Sequence, residues 1–559
     1  MKPTKLFTLI LCFGLISFSL QAQHEHSKNY TKQDTLRGSV TPERSWWDVQ
    51  HYELSVTVNP ETKSISGSNK IQYIPISKST RMQIDLQEPL MITSVSQDGK
   101  KLEVQRVGNA HFITLKKEQP LGQLMEIVVK YKGTPLEAKN APWDGGFSWA
   151  KDTNGKHFIA TSCQGLGASV WWPNKDHMYD EADKGMLMHF NVPKKLVAVG
   201  NGRLVKLKRG KKKTRTYTWK VVNPINNYGV NVNIGDYVNF KEVYLGEKGN
   251  LDMDFWVLKD NLKKAKSQFK DARRTIEAFE HWFGPYPFYE DSFKLVEVPY
   301  LGMEHQSSVT YGNGYQNGYF GSDLSDTGWG LKFDFIIIHE SGHEWFANNI
   351  TYKDMADMWI HESFTNYSES LFLEYFYGKE AAFEYIRGTR SGIRNETPII
   401  ADYNVNASSD GDMYSKGGNM LHTIRQMVAD DETWRGMLRG LNKEFYHQTV
   451  TTEQVETYMA AFLNLDLKAL FNQYLRDTRI PIFEYRLQKN SDGKARLSYR
   501  WTNTIKGFAM PLKVFMDGKE STLEFYPSGR MNYMILESMP AGFKIDSNVY
   551  VATQNLMGN

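Results

Sequence analysis

The sequence predicts a multidomain α+β protein: an all-β N-terminal domain, a mixed and mainly helical α/β domain, and a small C-terminal β-sandwich. Three observations carry this. The chain has 559 residues, too many for one hydrophobic core. Its hydrophobic fraction of 41% and charged fraction of 23% belong to folded globular domains. The hydrophobic period also changes twice, from alternating to helical near residue 250 and back after Pro481.

At the N-terminus, Lys2 and Lys5 precede the apolar run LFTLILCFGLISFSL, and Ala22 is the small residue before a cleavage point. This predicts a signal peptide over 1–22 and a periplasmic or secreted protein, with an uncleaved anchor as the alternative. The run is shorter than the ~20 residues that cross a membrane, and no other segment is apolar enough to do so. Residues 23–44 form a polar segment. The net charge of +4 points to no nucleic-acid partner. The densest basic run, KLKRGKKKTR, lies between GNGRLV and TYTWKVV and reads as a solvated hairpin tip. Of two cysteines, Cys12 falls in the signal segment. Cys163 is then a lone, buried small hydrophobe, and no intrachain disulfide is expected.

Residues 45–250 read as the β domain. HYELSVTVNP, SGSNKIQYIPI, RMQIDLQ, HFITLKK and MEIVVKYKG alternate or run apolar between Gly, Asn and Pro breaks. Residues 251–480 read as the mixed domain. NLKKAKSQFKDARRTIEAFEHWFG has helical spacing and stops at Gly284 and Pro285; FKLVEVPY is strand-like, and long helical patterns follow. Residues 481–559 return to strands, with two hairpin candidates turning at Asp-Gly.

The chemistry concentrates in FDFIIIHESGHEWFANN, residues 333–349. An apolar run leads straight into groups that resist burial, which a metal ion would explain. His339 and His343 stand at i and i+4, one turn apart on one helix face, and can grip one ion. The pentapeptide alone leaves structural histidines open. The next helical stretch, WIHESFTNYSESLFLEYF, supplies Glu362, eighteen residues after His343, as a third ligand. Three protein ligands and one open position are what catalytic zinc takes. Glu369, two turns beyond Glu362, can accept a hydrogen bond from a ligand histidine and fix its tautomer.

HESGH, the eighteen-residue spacing and the glutamate of WIHESF resemble the gluzincin aminopeptidases, the group of aminopeptidase N and leukotriene hydrolase. Three other stretches agree in order. TSCQGLGASVWWPNKD resembles the N-domain segment that reaches the site, YLGMEHQSSVTYG the exopeptidase signature, and MYSKGG the segment with the catalytic tyrosine. The resemblance spans roughly 45–559. It implies one Zn²⁺ per chain held by His339, His343 and Glu362, with Glu340 as general base. Glu304 and Gln164 would hold the free amine of a peptide substrate, beside Gly302 and Met303 of the same signature, and Tyr414 would stabilise the transition state. It implies a β-saddle, a thermolysin-like catalytic domain and a small sandwich. Larger relatives add a helical domain, which this chain is expected to lack. His305 replaces the signature's Asn, and Leu301 and Gly302 replace its small pair.

These parts make a zinc aminopeptidase in which Glu340 deprotonates zinc-activated water. Two alternatives stand beside it: a zinc endopeptidase, against which Glu304 speaks, and a peptidase-like scaffold without catalysis, against which the intact ligand set speaks. Epoxide hydrolysis of the leukotriene type is a minor further possibility.

Overall fold

The structure is a computed structural model that describes residues 29–210, 213–428, 430–525 and 529–557. The expected signal peptide lies outside the described residues. A short helix, α1 (Lys32–Gly38), opens the described chain inside the segment expected to be merely polar. Thr31 and Asp34 form a reciprocal capping box at its start.

The N-terminal domain is β-rich. Its eight-stranded sheet centres on Trp47–Asn59, antiparallel to Ser64–Pro75 and parallel to Met186–Pro193. Inward positions such as Leu54, Val56 and Ile71 are buried while their neighbours are less so, the period of two expected of a sheet with one packed face. The basic run sits at the edge: Arg203–Arg209 and Thr214–Val221 pair antiparallel.

A five-stranded sheet begins the next part of the chain, in the order β1-β2-β3-β5-β4. Its strands are β1 (Tyr237–Gly246), β2 (Gly249–Leu258), β3 (Phe293–Glu297), β4 (Gly302–Met303) and β5 (Val309–Tyr311). β1 was expected in the N-terminal domain, which the sequence pattern carries to residue 250. It pairs instead along its whole length with β2, so this sheet starts at Tyr237. Alternation marks a strand without naming its neighbour.

Helices α2 (Lys270–Phe283) and α3 (Phe335–Gly342) pack against this sheet, α4 (Trp359–Tyr377) packs on both of them, and α5 (Asp412–Met427) packs on α4. The last part of the chain forms a four-stranded and a three-stranded sheet, and both Asp-Gly hairpins are present. No helix among the described residues is long and apolar enough to cross a membrane.

Candidate metal centre

Helix α3 carries the two histidines. Three consecutive Ile or Phe-Ile positions have only moderate helix propensity, so core burial and a strong cap hold it. Phe335 to Ile338 are all buried. Asp334 caps the N-terminus, accepting from Ile337 N at 3.4 Å, and Tyr311 Oη donates to it at 2.7 Å. Burial pushes its carboxyl up to about 7 in spite of these bonds. Two glycines let backbones close in. A Cβ on Gly342 would meet Ser368 Oγ at 2.8 Å, and one on Gly302 would meet Ile336 Cγ2 at 2.5 Å.

The helix ends at His343, and 344–349 make one wide π-turn in which Phe346 leaves helical geometry. That break has a chemical consequence. His343 Nδ1 donates to the freed Phe346 carbonyl at 3.0 Å, with Thr365 Oγ1 also at 3.0 Å. His339 Nδ1 donates to Glu369 Oε1 at 2.8 Å, and Tyr385 Oη donates to the other oxygen at 2.6 Å. Both rings are thereby held in one tautomer, with Nε2 as the free lone pair.

The two Nε2 atoms converge on Glu362. Its Oε2 lies 3.7 Å from His339 Nε2 and 3.3 Å from His343 Nε2. Bonds of ~2.1 Å at the tetrahedral angle put ligand atoms ~3.4 Å apart, so these spacings suit a zinc ion. Glu362 Oε2 is also buried without a hydrogen-bond partner, an orphan that a cation would satisfy. Without a cation, burial disfavours charge on His339, but Glu362 and Glu369 outweigh that and raise its pKa well above the ordinary value.

A second cluster adjoins the first. Ligand atoms of Glu304, Glu340 and His343 lie within 4.8 Å of one another. Burial pushes the Glu340 carboxyl up to about 8, with Glu304 and Glu362 adding to the rise against the two histidines. Burial raises Glu304 too. Gln164 bridges the clusters: its Nε2 donates to Glu304 Oε1 at 2.6 Å and to Glu362 Oε1 at 3.0 Å. Its own Oε1 is left to accept.

Tyr414 stands near the start of α5, its ring centroid 6.0 Å from that of His339. Ser363, beside Glu362, donates to Met413 O at 2.7 Å and so ties the two helices where they present Glu362 and Tyr414. Burial, then the carboxylates of Glu362, Glu304 and Glu340, raise the phenol well above its usual range, which keeps it a proton-bearing donor.

The fold thus gathers His339, Glu340, His343, Glu362, Glu369, Glu304, Gln164 and Tyr414 in one place. Gly302 contributes by close approach. Met303 turns its side chain into the apolar cluster shared with the N-terminal sheet. His305 is fully buried, with Nδ1 3.2 Å from Thr310 Oγ1, and burial lowers it to about 3, so it stays neutral. Thr365, Tyr385 and Asn348, whose amide donates to Glu304 O at 2.9 Å, escaped sequence reasoning. In the sequence each looks like an ordinary helix or core residue.

Two histidines from one helix and a glutamate from the next, each histidine oriented from behind, form a group that could hold one metal ion. Residues 267–474 match the Peptidase family M1 domain. The chain is 20% identical over 498 residues to the probable aminopeptidase 1 of Sulfurisphaera tokodaii, covering 85% of this chain and 59% of that protein. It is 22% identical over 453 residues to leukotriene A-4 hydrolase of Xenopus laevis, covering 76% and 69%. Its fold is similar to the M1 zinc metallopeptidase of Deinococcus radiodurans, with a TM-score of 0.66 at 20% identity over 78% of this chain and 95% of that one. The same enzyme bound to a Tyr-Ser-Ala substrate gives 0.64 at 19% identity, again over 78% and 95%. The chain spans about half the length of the curated relatives it matches first.

Proposed function

We propose that this protein is a zinc aminopeptidase that removes residues from the free N-terminus of peptides. The observation that carries this reading is the second carboxylate. Glu304 lies beside the metal ligands and is tied to them through Gln164. A buried carboxylate there has a use in an enzyme that binds a substrate ammonium, through a charge-assisted hydrogen bond. An endopeptidase has no such charge to bind.

His339, His343 and Glu362 would hold the ion. When bound, zinc supplies Lewis-acid chemistry, polarising a carbonyl and lowering the pKa of water toward about 7. Glu340 takes a proton from the attacking water and returns it to the departing amine nitrogen. Tyr414 donates a hydrogen bond to the oxygen of the scissile carbonyl as negative charge develops there. Gln164 Oε1 and the Glu304 carboxylate orient the ammonium and so set the first peptide bond over Glu340. Glu369 and the Phe346 carbonyl hold the histidines in register. The run at residues 6–20 and Ala22 support export of the protein to the periplasm or medium.

The test compares one peptide with a free and an acetylated N-terminus. Acetylation removes the charge and leaves Glu304 desolvated without a partner. The wild type cleaves the free form, one residue at a time, and spares the acetylated form by a factor on the order of 10⁴. Glu304→Ala loses that preference together with most of its rate. Efficient internal cleavage of the acetylated peptide would make the protein an endopeptidase instead.

A further inference from the structure

A strand and a helix set the direction in which a bound peptide runs. Asn348, beyond the C-terminal end of α3, donates from its amide to Glu304 O at 2.9 Å. Gly302, two residues earlier on the same segment, lies against the other half of that helix. A Cβ there would meet Ile336 Cγ2 at 2.5 Å and Glu340 Cγ at 3.3 Å. A peptide held by its ammonium at Glu304 therefore passes Glu340 and heads for the N-terminal turn of α3. Ile336 precedes Glu340 by four residues, ~6 Å of helical rise, which is the reach of about two extended residues. The residue just beyond the cleaved bond arrives there.

That end of the helix carries a ladder of aromatic rings. Phe335 stacks on His339, with centroids 5.2 Å apart and planes inclined by 16°. Tyr319 stands edge-on to Phe335 at 5.5 Å, and Phe320 stands edge-on to Tyr319 at 5.6 Å. Burial, then the charge of Glu340, raises the Tyr319 phenol, in keeping with its place beside the proposed base. The ladder ends in the open, for Phe320 is 50% exposed.

The placement of Phe320 is built. Its φ of +49° is uncommon for a bulky L-residue, and such an outlier persists only where its surroundings fix it. Tyr319 and Ser322 exchange backbone hydrogen bonds of 2.8 and 3.0 Å across the turn. Fully buried Asn313 locks that turn from behind. Its Oδ1 accepts from Phe320 N at 2.8 Å, while its Nδ2 donates to Gly318 O at 2.8 Å and to Asp334 Oδ1 at 2.9 Å. Asp334 caps α3, so one amide ties the turn to the helix that carries His339 and Glu340. The nearby carboxylate of Asp323 is turned into its own loop, where it accepts from Ser325 N, Ser325 Oγ and Gly328 N at 2.9, 2.7 and 2.5 Å. The turn thus presents apolar area beside the negative charge of Glu340.

The geometry points to Tyr319 and Phe320 as specificity-determining residues that receive the side chain of a peptide's second residue and favour an apolar one. This rests on the aminopeptidase reading, and the experiment separates the two. Four free peptides are compared by kcat/KM for release of the first residue. Ala-Leu-Gly-Gly against Ala-Asn-Gly-Gly varies the second position, and Leu-Gly-Gly-Gly against Asn-Gly-Gly-Gly the first. Leucine and asparagine match in shape and differ in polarity. The wild type favours leucine at the second position by about tenfold. Phe320→Ser brings that preference down to about twofold or less and leaves the first-position preference unchanged. Phe320→Leu, still apolar, retains it. If Phe320→Ser does not fold, Phe320→Gln decides by the same measure. A merely structural role for the turn lowers all four peptides together with both preferences unchanged, and that result overturns the inference. So does a wild-type second-position preference at or below one, or a fall confined to the first position. In each of these cases turnover of the peptides keeps the aminopeptidase reading. No turnover of any peptide overturns both.

Discussion

Helices α2 and α4 lie in the same domain and treat their polar residues in opposite ways. α2 is amphipathic: Ala272, Ile276, Phe279 and Phe283 are buried, while Lys270 and Arg273 face solvent. In α4 every residue from Trp359 to Leu373 is buried, including His361, Glu362, Ser363, Thr365, Asn366, Ser368, Glu369 and Ser370. An exposed polar group on α2 has water for a partner, and the few buried there, Asp271, Thr275 and Glu280, are bonded to the protein. One on α4 has only the protein or an ion, since a buried polar atom without a partner costs about 1–3 kcal/mol. The comparison teaches that a buried carboxylate oxygen of α4 without a protein partner marks a candidate ligand. Most of its polar atoms have one: Ser363 with Met413 O, Ser368 with Thr365 O, Ser370 with Ala382 O. Glu362 Oε2 and Asn366 Oδ1 have none, and of these two it is Glu362 Oε2 that lies beside the histidine nitrogens.

The largest expected effect lies on the neighbouring helix and separates chemistry from support. Glu340→Gln keeps the shape of a side chain outside the proposed ligand set, so zinc is expected to stay bound while turnover falls by about 10²–10⁴. Peptide hydrolysis and metal content are measured on the same sample. Near-normal turnover breaks the assignment of Glu340 as base.

An intermediate effect tests the support of α4 directly. Glu369→Gln leaves His339 Nδ1 without its carboxylate and weakens zinc affinity by about 10–100-fold. Lys270→Ala, on the exposed face of α2, changes neither zinc affinity nor, beyond about 0.5 kcal/mol, stability. Competition with a chromophoric chelator reads the first, and thermal unfolding the second.

The smallest effect concerns pH. Asp334 caps α3 with a carboxyl raised from 3.8 to about 7 by burial. The native state therefore keeps a proton that the unfolded chain loses near pH 4. Its contribution is full below that pH and is lost as pH rises through about 7. Asp334→Asn, which resembles the protonated form, lacks this loss. The wild type's advantage in unfolding free energy over Asp334→Asn narrows between pH 5 and 8. A constant difference across that range contradicts the raised value.

Much of this was legible in the sequence, for physical reasons. Two histidines one turn apart after three isoleucines need a purpose, and a glutamate at the head of another buried helix supplies it. The switch from alternating to helical period located the helices that carry the candidate site. What stayed hidden depends on backbone or on distant side chains. The Phe346 carbonyl that orients His343 exists only because the helix breaks there, and no residue type announces a carbonyl. Tyr385 Oη on Glu369 joins two helices through a residue that reads as core. The partner of β1 was not legible, because a strand's pattern is the same whichever sheet accepts it. α1 did leave a trace, Thr31 three residues before Asp34, but seven residues carry little periodicity.

The central claim is that the buried polar residues of α3 and α4 are arranged for one metal ion. Zinc titration of chelator-stripped protein, in wild type, Glu340→Gln and Glu362→Gln, tests it most directly. The account predicts one equivalent bound tightly by wild type and by Glu340→Gln, and binding weakened at least 100-fold in Glu362→Gln. Equal stoichiometry and affinity in all three proteins would contradict it.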